Sequence, residues 1–154
     1  MAHYAGHVQL VTTQHGLVRR GVTVTAACSV SDDPPTVLVC LNARNAKNSV
    51  FGESGRFALN CLASHHRPLA DGFAGFSDLD VDGRFGLADW KTLVTGAPVL
   101  ADALVSFDCQ VVEIKEMSTH LILFGEVKAI HMGPAGSALV YMNRQYQTVQ
   151  AGGL

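Results

Sequence analysis

The chain alternates short apolar runs with turn signals, which is the pattern of a protein built mainly from β-strands. Strands are predicted where β-branched and apolar residues recur with a period of two or form runs of about six residues. These segments cover residues 8–13, 20–25, 36–41, 57–62, 103–115, 120–131 and 139–142. In Arg20–Thr25 valine alternates with threonine, so one face of that strand is expected to be buried and the other to carry hydroxyls.

Turns and short helices separate these strands. Asp32–Pro35 is a strong breaker, and residues 42–55 predict a loop that leads into a short helix. Residues 64–90, with Pro68 at a possible helix start, predict short helices and loops. Long amphipathic helices do not alternate with the strands, which disfavours a parallel α/β fold. We therefore predict one mostly β domain over residues 1–154, an antiparallel sheet closed into a barrel with a few short helices.

Composition and charge narrow the classes of function. Of the 154 residues, 48% are hydrophobic and 16% are charged, and the net charge is −2. A typical domain is about one quarter charged, so we expect apolar surface beyond one core, and with it self-association. No nucleic acid is expected, because phosphate-backbone binding needs an excess of Lys and Arg. No apolar run reaches the ~20 residues of a membrane span, and the amino terminus lacks a signal-peptide pattern, so we expect a cytoplasmic protein without a membrane partner.

The cysteines and histidines show no metal-binding motif. The four cysteines are widely spaced, and they are Cys28, Cys40, Cys61 and Cys109. Each lies in an apolar stretch without a CxxC pair, so we interpret all four as buried, reduced thiols. His65, His66 and His131 have no acidic or cysteine partner at ligand spacing, and we interpret them as surface or helix residues. No metal site is expected.

Familiar nucleotide-binding and catalytic motifs are missing. The sequence has no GxGxxG after its first strand, no GxxxxGK[ST] and no GxSxG. A nucleotide cofactor would therefore be held by strand edges and loop amides. Residues 21–31 suit this role, because small and hydroxyl side chains along a strand and its exit let a flat ring approach the backbone. An exposed strand rich in Thr and Ser explains the same composition.

A second candidate segment is Asn42–Ser49, which follows a buried strand and opens the predicted helix. The start of a helix favours a phosphate group, and Arg44 or Lys47 could add positive charge. An ordinary Asn or Ser helix cap would give the same pattern.

Two single positions complete the candidates. His120 lies on a strand, on the same face as Ile122 and Phe124, where a core or rim side chain is the commoner role of a lone histidine. Tyr141 and Tyr146 could cover a ring, although aromatic edge packing explains the pair equally well.

Taken together, three blocks resemble the flavin reductase family, the small reductase components of two-component flavin monooxygenases. They are residues 20–42 (RGVTVTAACSVSDDPPTVLVCLN), 119–127 (THLILFGEV) and 139–146 (LVYMNRQY). Residues 57–62 and 95–98 follow the order of the family's blocks as well. The resemblance implies a homodimeric antiparallel split β-barrel with Greek-key connections. FMN would bind near the subunit interface, and NADH or NADPH would stack over it and pass a hydride to the flavin N5.

The resemblance also assigns site residues. The residues expected to lie against the flavin ring are Thr23, Val24, Thr25, Ala26, Ala27, Cys28 and Ser29. Those expected to hold its ribityl and phosphate groups are Asn42, Asn45, Lys47, Asn48 and Ser49. His120 is expected to border both flavin and nicotinamide as the catalytic residue, and Tyr146 to close the site.

Three functions fit the resemblance. The first is a reductase that supplies reduced flavin to a partner monooxygenase. The second is an FMN-dependent cob(II)yrinic acid a,c-diamide reductase, which takes corrin cobalt from Co(II) to Co(I). The third is a flavin- or haem-binding split barrel without turnover. No residue in the sequence separates a free flavin from a corrin as the electron acceptor.

Overall fold

A computed structural model describes residues 1–152 of the chain. The strands are β1 (Gly6–His7), β2 (Gln9–His15), β3 (Val18–Val24), β4 (Ala27–Asp32), β5 (Pro35–Asn42), β6 (Arg56–Cys61), β7 (Trp90–Lys91), β8 (Val99–Leu100), β9 (Val105–Met117), β10 (His120–Met132), β11 (Ala138–Met142) and β12 (Gln145–Val149). The helices are α1 (Ser49–Ser54), α2 (Arg67–Ala74) and α3 (Val81–Phe85), with 3₁₀ turns at Ala46–Asn48 and Ser64–His66. Within this range no helix combines the length and apolar character needed to cross a membrane.

Seven strands form one antiparallel sheet in the order β3-β2-β6-β9-β10-β5-β4. Its two edge strands, β3 and β4, follow one another in the chain and are joined only by Thr25 and Ala26. The sheet therefore curls into a barrel in which the end of β3 meets the start of β4. These two strands do not pair with each other. The predicted mostly β antiparallel architecture is confirmed, and the barrel is split between β3 and β4.

The inside of the barrel is filled by alternating strand residues. On β5, Val37, Val39 and Leu41 are buried inside, whereas Leu38 and Cys40 point outward and are half-buried. Phe51 of α1 closes one end and is completely buried. Each such side chain stabilises the fold by about 1.5–3 kcal/mol relative to exposure, so the period of two fixes the register of these strands.

A second apolar cluster lies between the barrel and a three-stranded sheet of order β1-β11-β12. Helix α2 contributes Phe73, whose ring lies edge-on to Phe85 of α3 at 5.0 Å between centroids. The helix packs so close to β3 that a Cβ on Gly21 would lie 2.5 Å from the Phe73 ring. A glycine is therefore required at this point of the Val/Thr strand.

The loop before β8 is held by a buried carboxylate. Asp108 on β9 is inaccessible to solvent and accepts hydrogen bonds from the amides of Val94 and Thr95, each at 2.8 Å, and from the Thr95 hydroxyl. The family block at 95–98 therefore has a structural role, because its backbone satisfies a charge that would otherwise be buried without partners.

Several details differ from the prediction. Residues 21–31 form the end of β3 and most of β4, two separate edge strands, instead of one strand and its exit. The short strand β12 was not predicted, because Gln145–Val149 is mostly polar and exposed. It pairs with β11 through a turn in which Asn143 and Arg144 adopt positive φ angles of 54° and 61°.

The interpretation of all four cysteines as buried thiols is wrong for two of them. Cys28 is exposed and Cys40 is half-buried, because both lie on the outer face of the sheet near its β4 edge. Cys61 and Cys109 are buried, and burial raises the pKa of these thiols to about 11 and about 12, respectively. The two buried thiols therefore stay protonated and act as small apolar side chains.

Candidate functional site at the split of the barrel

At the end of the split, the two predicted binding segments and His120 come together at neighbouring positions along β5. The Cys40 amide donates to the Ala26 carbonyl at 2.9 Å, and Ile122 faces Cys40 from the other side. Two residues further along β5, Asn42 faces His120. The two positions on β5, Cys40 and Asn42, are therefore about 7 Å apart along the strand. Register also places His120, Ile122 and Phe124 on one face, as predicted from their spacing.

Asn48 bridges the two sides of the split. Its side-chain oxygen accepts two hydrogen bonds from the Arg20 guanidinium on β3, at 3.0 and 2.9 Å. Its side-chain nitrogen donates to the Asn42 carbonyl on β5 at 2.9 Å. With 3% of its surface exposed, Asn48 has its polar atoms satisfied within the protein and acts as a support of the site.

The role of Arg20 in this arrangement could not be predicted from the sequence, because an arginine in a Val/Thr strand usually indicates an exposed edge. Burial, together with the nearby Arg84, lowers the pKa of Arg20. Its guanidinium remains charged at neutral pH, since the ordinary pKa of arginine is so high. The split therefore contains a partly buried positive charge next to the predicted phosphate-binding segment.

The remaining polar residues of Asn42–Ser49 divide into two groups. The side chains of Asn42 and Asn45 accept hydrogen bonds from the amides of Arg44 and Lys47, at 2.9 and 3.1 Å, and so stabilise the turn. Arg44, Lys47 and Ser49 are exposed. Across residues 1–152 neither cation of this segment is paired with a carboxylate. These two charges can therefore reach an anionic ligand.

A cavity of about 210 Å³ opens beside the end of β3. The residues that line it are Val8, Thr23, Val24, Thr25, Ala74, Phe76, Tyr141 and Tyr146. The Thr23 hydroxyl is already used, since it donates to the Ala70 carbonyl of α2 at 2.7 Å. What the strand offers a ligand here is mainly backbone, because an edge strand leaves a row of N–H and C=O groups unpaired. A flat ring between that edge and the aromatic side chains fits this shape and polarity.

Tyr146 is one of the aromatic residues that line this cavity. Its ring lies 5.3 Å from that of Tyr141 in an edge-on arrangement, and its hydroxyl donates to Asp71 Oδ1 at 2.8 Å. Burial, reinforced by this hydrogen bond, raises the pKa of Tyr146. The hydroxyl therefore stays protonated, and the ring is held in place as an aromatic surface.

His120 is exposed at the start of β10, directly after the turn from β9. Its Nδ1 lies 2.8 Å from the hydroxyl of Thr119, and the Thr119 carbonyl accepts from the amide of Ala43 at 2.9 Å. The histidine is thus fixed to the segment that begins with Asn42, while its Nε2 faces away from this contact. It is available to a ligand and is not a core side chain.

His65 and His66 form a cluster with Asp102, which corrects the prediction that they have no acidic partner. The Nε2 of each histidine lies 2.9 Å from one oxygen of this carboxylate, and His66 is 5% exposed. Asp102 lies 36 residues away, so no local spacing could indicate it. The Nδ1 of His66 accepts from the Ala63 amide at 2.9 Å, so its Nε2 carries the proton and donates to Asp102. That proton occupies the position at which a metal would bind.

Comparisons with known proteins agree with this geometry. Residues 1–150 match the family of flavin reductase like domains, and the chain belongs to that family. It is similar to the FMN reductase (NADH) RutF of Agrobacterium fabrum, with 42% identity over 97% of this chain and 84% of the relative. It is also similar to the 4-hydroxyphenylacetate 3-monooxygenase reductase component of Pseudomonas aeruginosa, with 37% identity over 97% and 88%. The structure of flavin reductase PheA2 superposes with a TM-score of 0.88 at 28% identity, covering 98% of this chain and 94% of that one.

Proposed function

We propose that this protein is an NAD(P)H-dependent flavin reductase that binds FMN at the split between β3 and β4. The observation that carries the proposal is the β3 edge strand, which borders the aromatic cavity containing Tyr146 and is joined through Arg20 and Asn48 to the segment with the exposed cations Arg44 and Lys47. A bound flavin accepts a hydride from reduced nicotinamide and passes the electrons to an acceptor. One relative is named an FMN reductase and another a monooxygenase reductase component. These names support delivery of the electrons, as reduced flavin, to a partner monooxygenase.

The chain's own groups have separate tasks in this proposal. Backbone groups from Thr23 to Ser29 hold the polar edge of the ring, and Tyr146 covers the ring. Lys47 and Ser49 hold the phosphate, while Asn48 and Arg20 keep the two sides of the split at a fixed distance. His120 positions the nicotinamide at the rim. Two-electron hydride transfer requires no proton from the protein at that step, so His120 has no acid or base role.

Anaerobic spectroscopy of the purified protein with added FMN tests this function. Under nitrogen, one equivalent of NADH or NADPH is expected to bleach the flavin absorbance. When oxygen is admitted, the flavin absorbance is expected to return and the co-substrate to be consumed catalytically. A bound flavin that neither co-substrate reduces would contradict the proposal and indicate a binding protein without turnover. Reoxidation of the reduced flavin by an added Co(II) corrin under nitrogen, with formation of Co(I), would assign the corrin as acceptor.

Lys47→Ala is expected to weaken FMN binding about tenfold or more while leaving riboflavin binding nearly unchanged. The reason is that Lys47 is exposed and forms no ion pair with a carboxylate of residues 1–152, so one charge-assisted contact to the phosphate is lost. Quenching of flavin fluorescence measures both dissociation constants. Lys91→Ala, on the distant strand β7, is the matched control. Equal affinities of the unmodified protein for FMN and riboflavin would contradict a phosphate site in this segment.

His120→Ala is expected to raise the KM for NADH or to slow flavin reduction about tenfold, with FMN retained. Loss of one hydrogen bond to the nicotinamide accounts for an effect of about 1–2 kcal/mol. Stopped-flow reduction, normalised to flavin content, measures it. His15→Ala, which removes another exposed histidine at a strand end, serves as the control. If reduction rates and their dependence on NADH are the same in both variants, His120 is scaffold only.

The outer face of β5 and β10 supports the proposal of a homodimer. Leu38, Cys40, Ile122 and Phe124 form a half-buried apolar row on that face, adjacent to His120 and to the β4 edge. Sedimentation is expected to give twice the 16.4 kDa of one chain. Phe124→Arg is expected to give monomers, whereas Val149→Arg, at an exposed position of β12, is expected to leave the dimer intact. A monomer of the unmodified protein with flavin bound would contradict this.

A further inference from the structure

A second cavity, of about 370 Å³, adjoins the one beside β3. It is lined by Arg67, Phe76, Tyr141, Arg144, Gln145 and Tyr146. Three of these residues, Phe76, Tyr141 and Tyr146, also line the first cavity. The two spaces therefore share an aromatic wall, and a ligand longer than a flavin ring can extend from one into the other.

The second cavity differs from the first in its charge. Arg67 begins α2, and its guanidinium lies 5.1 Å from the centroid of the Tyr146 ring. Arg144 lies in the turn between β11 and β12, where its positive φ of 61° belongs to the tight turn. The lining residues include these two cations and no carboxylate. Asp71 contacts this wall from outside the lining, where it accepts the hydrogen bond of the Tyr146 hydroxyl.

This concentration of charge is unusual for the chain. Acidic residues outnumber basic ones, 13 against 11, so two arginines at one cavity are not explained by a generally basic surface. Across residues 1–152 neither arginine forms an ion pair with a carboxylate, and both are exposed. A guanidinium presents a planar fork of donors that matches phosphate oxygens in a bidentate arrangement. The aromatic wall between the cations suits a flat base or ring.

We propose that the cavity lined by Arg67 and Arg144 holds the diphosphate of the nicotinamide dinucleotide co-substrate. This inference rests on the proposed function, because it requires a nicotinamide ring at the flavin in the adjoining cavity. The diphosphate joins the two halves of the dinucleotide and carries its charge, so it must lie close beside the ring-binding space. Arg67 and Arg144 are then the residues that select a dinucleotide over a shorter hydride donor.

The flavin also carries a phosphate. That phosphate is assigned to the segment around Lys47, which lies on the β5 side of the split. The flavin phosphate and the co-substrate diphosphate predict different effects of substituting Arg67 and Arg144. If the cavity binds the co-substrate, the affinity for FMN does not depend on these arginines. If it binds the flavin phosphate, FMN weakens relative to riboflavin and the co-substrate does not.

Steady-state reduction with two hydride donors tests the assignment. NADH carries the diphosphate, whereas 1-benzyl-1,4-dihydronicotinamide transfers the same hydride without any phosphate. Arg67→Gln and Arg144→Gln are each expected to raise the KM for NADH about tenfold or more, with kcat little changed. Both are expected to use the benzyl donor as the unmodified protein does. Arg144→Lys is expected to restore part of the affinity, and Lys91→Gln, with the same loss of charge on β7, is expected to have no effect.

Direct binding gives a readout that does not depend on turnover. Adenosine diphosphate ribose contains the diphosphate but no nicotinamide, and its affinity by calorimetry is expected to fall about tenfold in each Gln variant. An unchanged KM for NADH and an unchanged affinity for this probe would overturn the assignment, as would a loss confined to FMN. Failure of the unmodified protein to oxidise either donor would instead overturn the proposed function.

Discussion

Gly125→Ala is expected to lower the free energy of unfolding by about 3 kcal/mol. Gly125 lies on β10 and faces the inside of the barrel, where a Cβ would lie 2.4 Å from Phe57 Cζ and 2.8 Å from Cys109 Cβ. Both neighbours are completely buried, so neither can move aside without disturbing the packed interior. Thermal denaturation monitored by circular dichroism is expected to show a drop in Tm of about 6–12 °C.

Gly52→Ala is the matched control for this substitution. The added Cβ would meet only Ile114 Cδ1 at 3.5 Å, an ordinary contact, and the position lies in α1. Alanine favours a helix over glycine by about 1 kcal/mol, so this variant is expected to be as stable as the unmodified protein or more so. Equal melting temperatures for Gly125→Ala and the unmodified protein would show that the barrel interior is more compliant than its packing indicates.

Asn48→Ala is expected to cost about 3 kcal/mol of stability, because it removes three hydrogen bonds, two of which cross the split to Arg20. The Arg20 guanidinium loses its acceptor while still partly buried, and the Asn42 carbonyl loses its donor. An unsatisfied charged group in such a place is costly. Urea denaturation measures the loss. Asn45→Ala, which removes an exposed cap of the neighbouring 3₁₀ turn, is expected to cost only about 1 kcal/mol.

A double-mutant cycle separates the bridge from other effects of Asn48. In an Arg20→Met background the penalty of Asn48→Ala is expected to shrink, since the guanidinium that needed the acceptor has gone. The coupling between the two positions is expected to exceed 1 kcal/mol, in the range found for residues in contact. Additive losses would contradict the bridge between Asn48 and Arg20.

The barrel strands were predictable because their burial follows a simple period. Val37, Val39 and Leu41 alternate with residues that face outward, and the same register puts His120 and Phe124 on one side. The strand β4 was not distinguished from the end of β3, since an exposed edge strand of small polar residues lacks that period. Nothing in a local window can show that Ala27 pairs with Val39 beyond the Pro34 turn.

The candidate site was predictable only in part, for a related reason. Small residues in 23–29 and the cations in 42–49 are visible in the sequence, and the resemblance to a family joined them. Contacts between distant positions are not visible: Asn48 meets Arg20, Tyr146 meets Asp71, and His66 meets Asp102. The cationic cavity depends on the same kind of contact, because Arg67 and Arg144 are 77 positions apart by their numbers.

The split between β3 and β4 links the concentration of ligand to the stability of the folded protein. Strands β3 and β4 lack mutual backbone pairing, and side-chain contacts through Asn48 join the two sides. A flavin bound at the proposed site would contact both sides and would add to the stability of the barrel. By mass action, ligand at 100 times its dissociation constant contributes about 2.7 kcal/mol to stability. Resistance of the purified protein to proteolysis is therefore expected to increase with the concentration of added FMN.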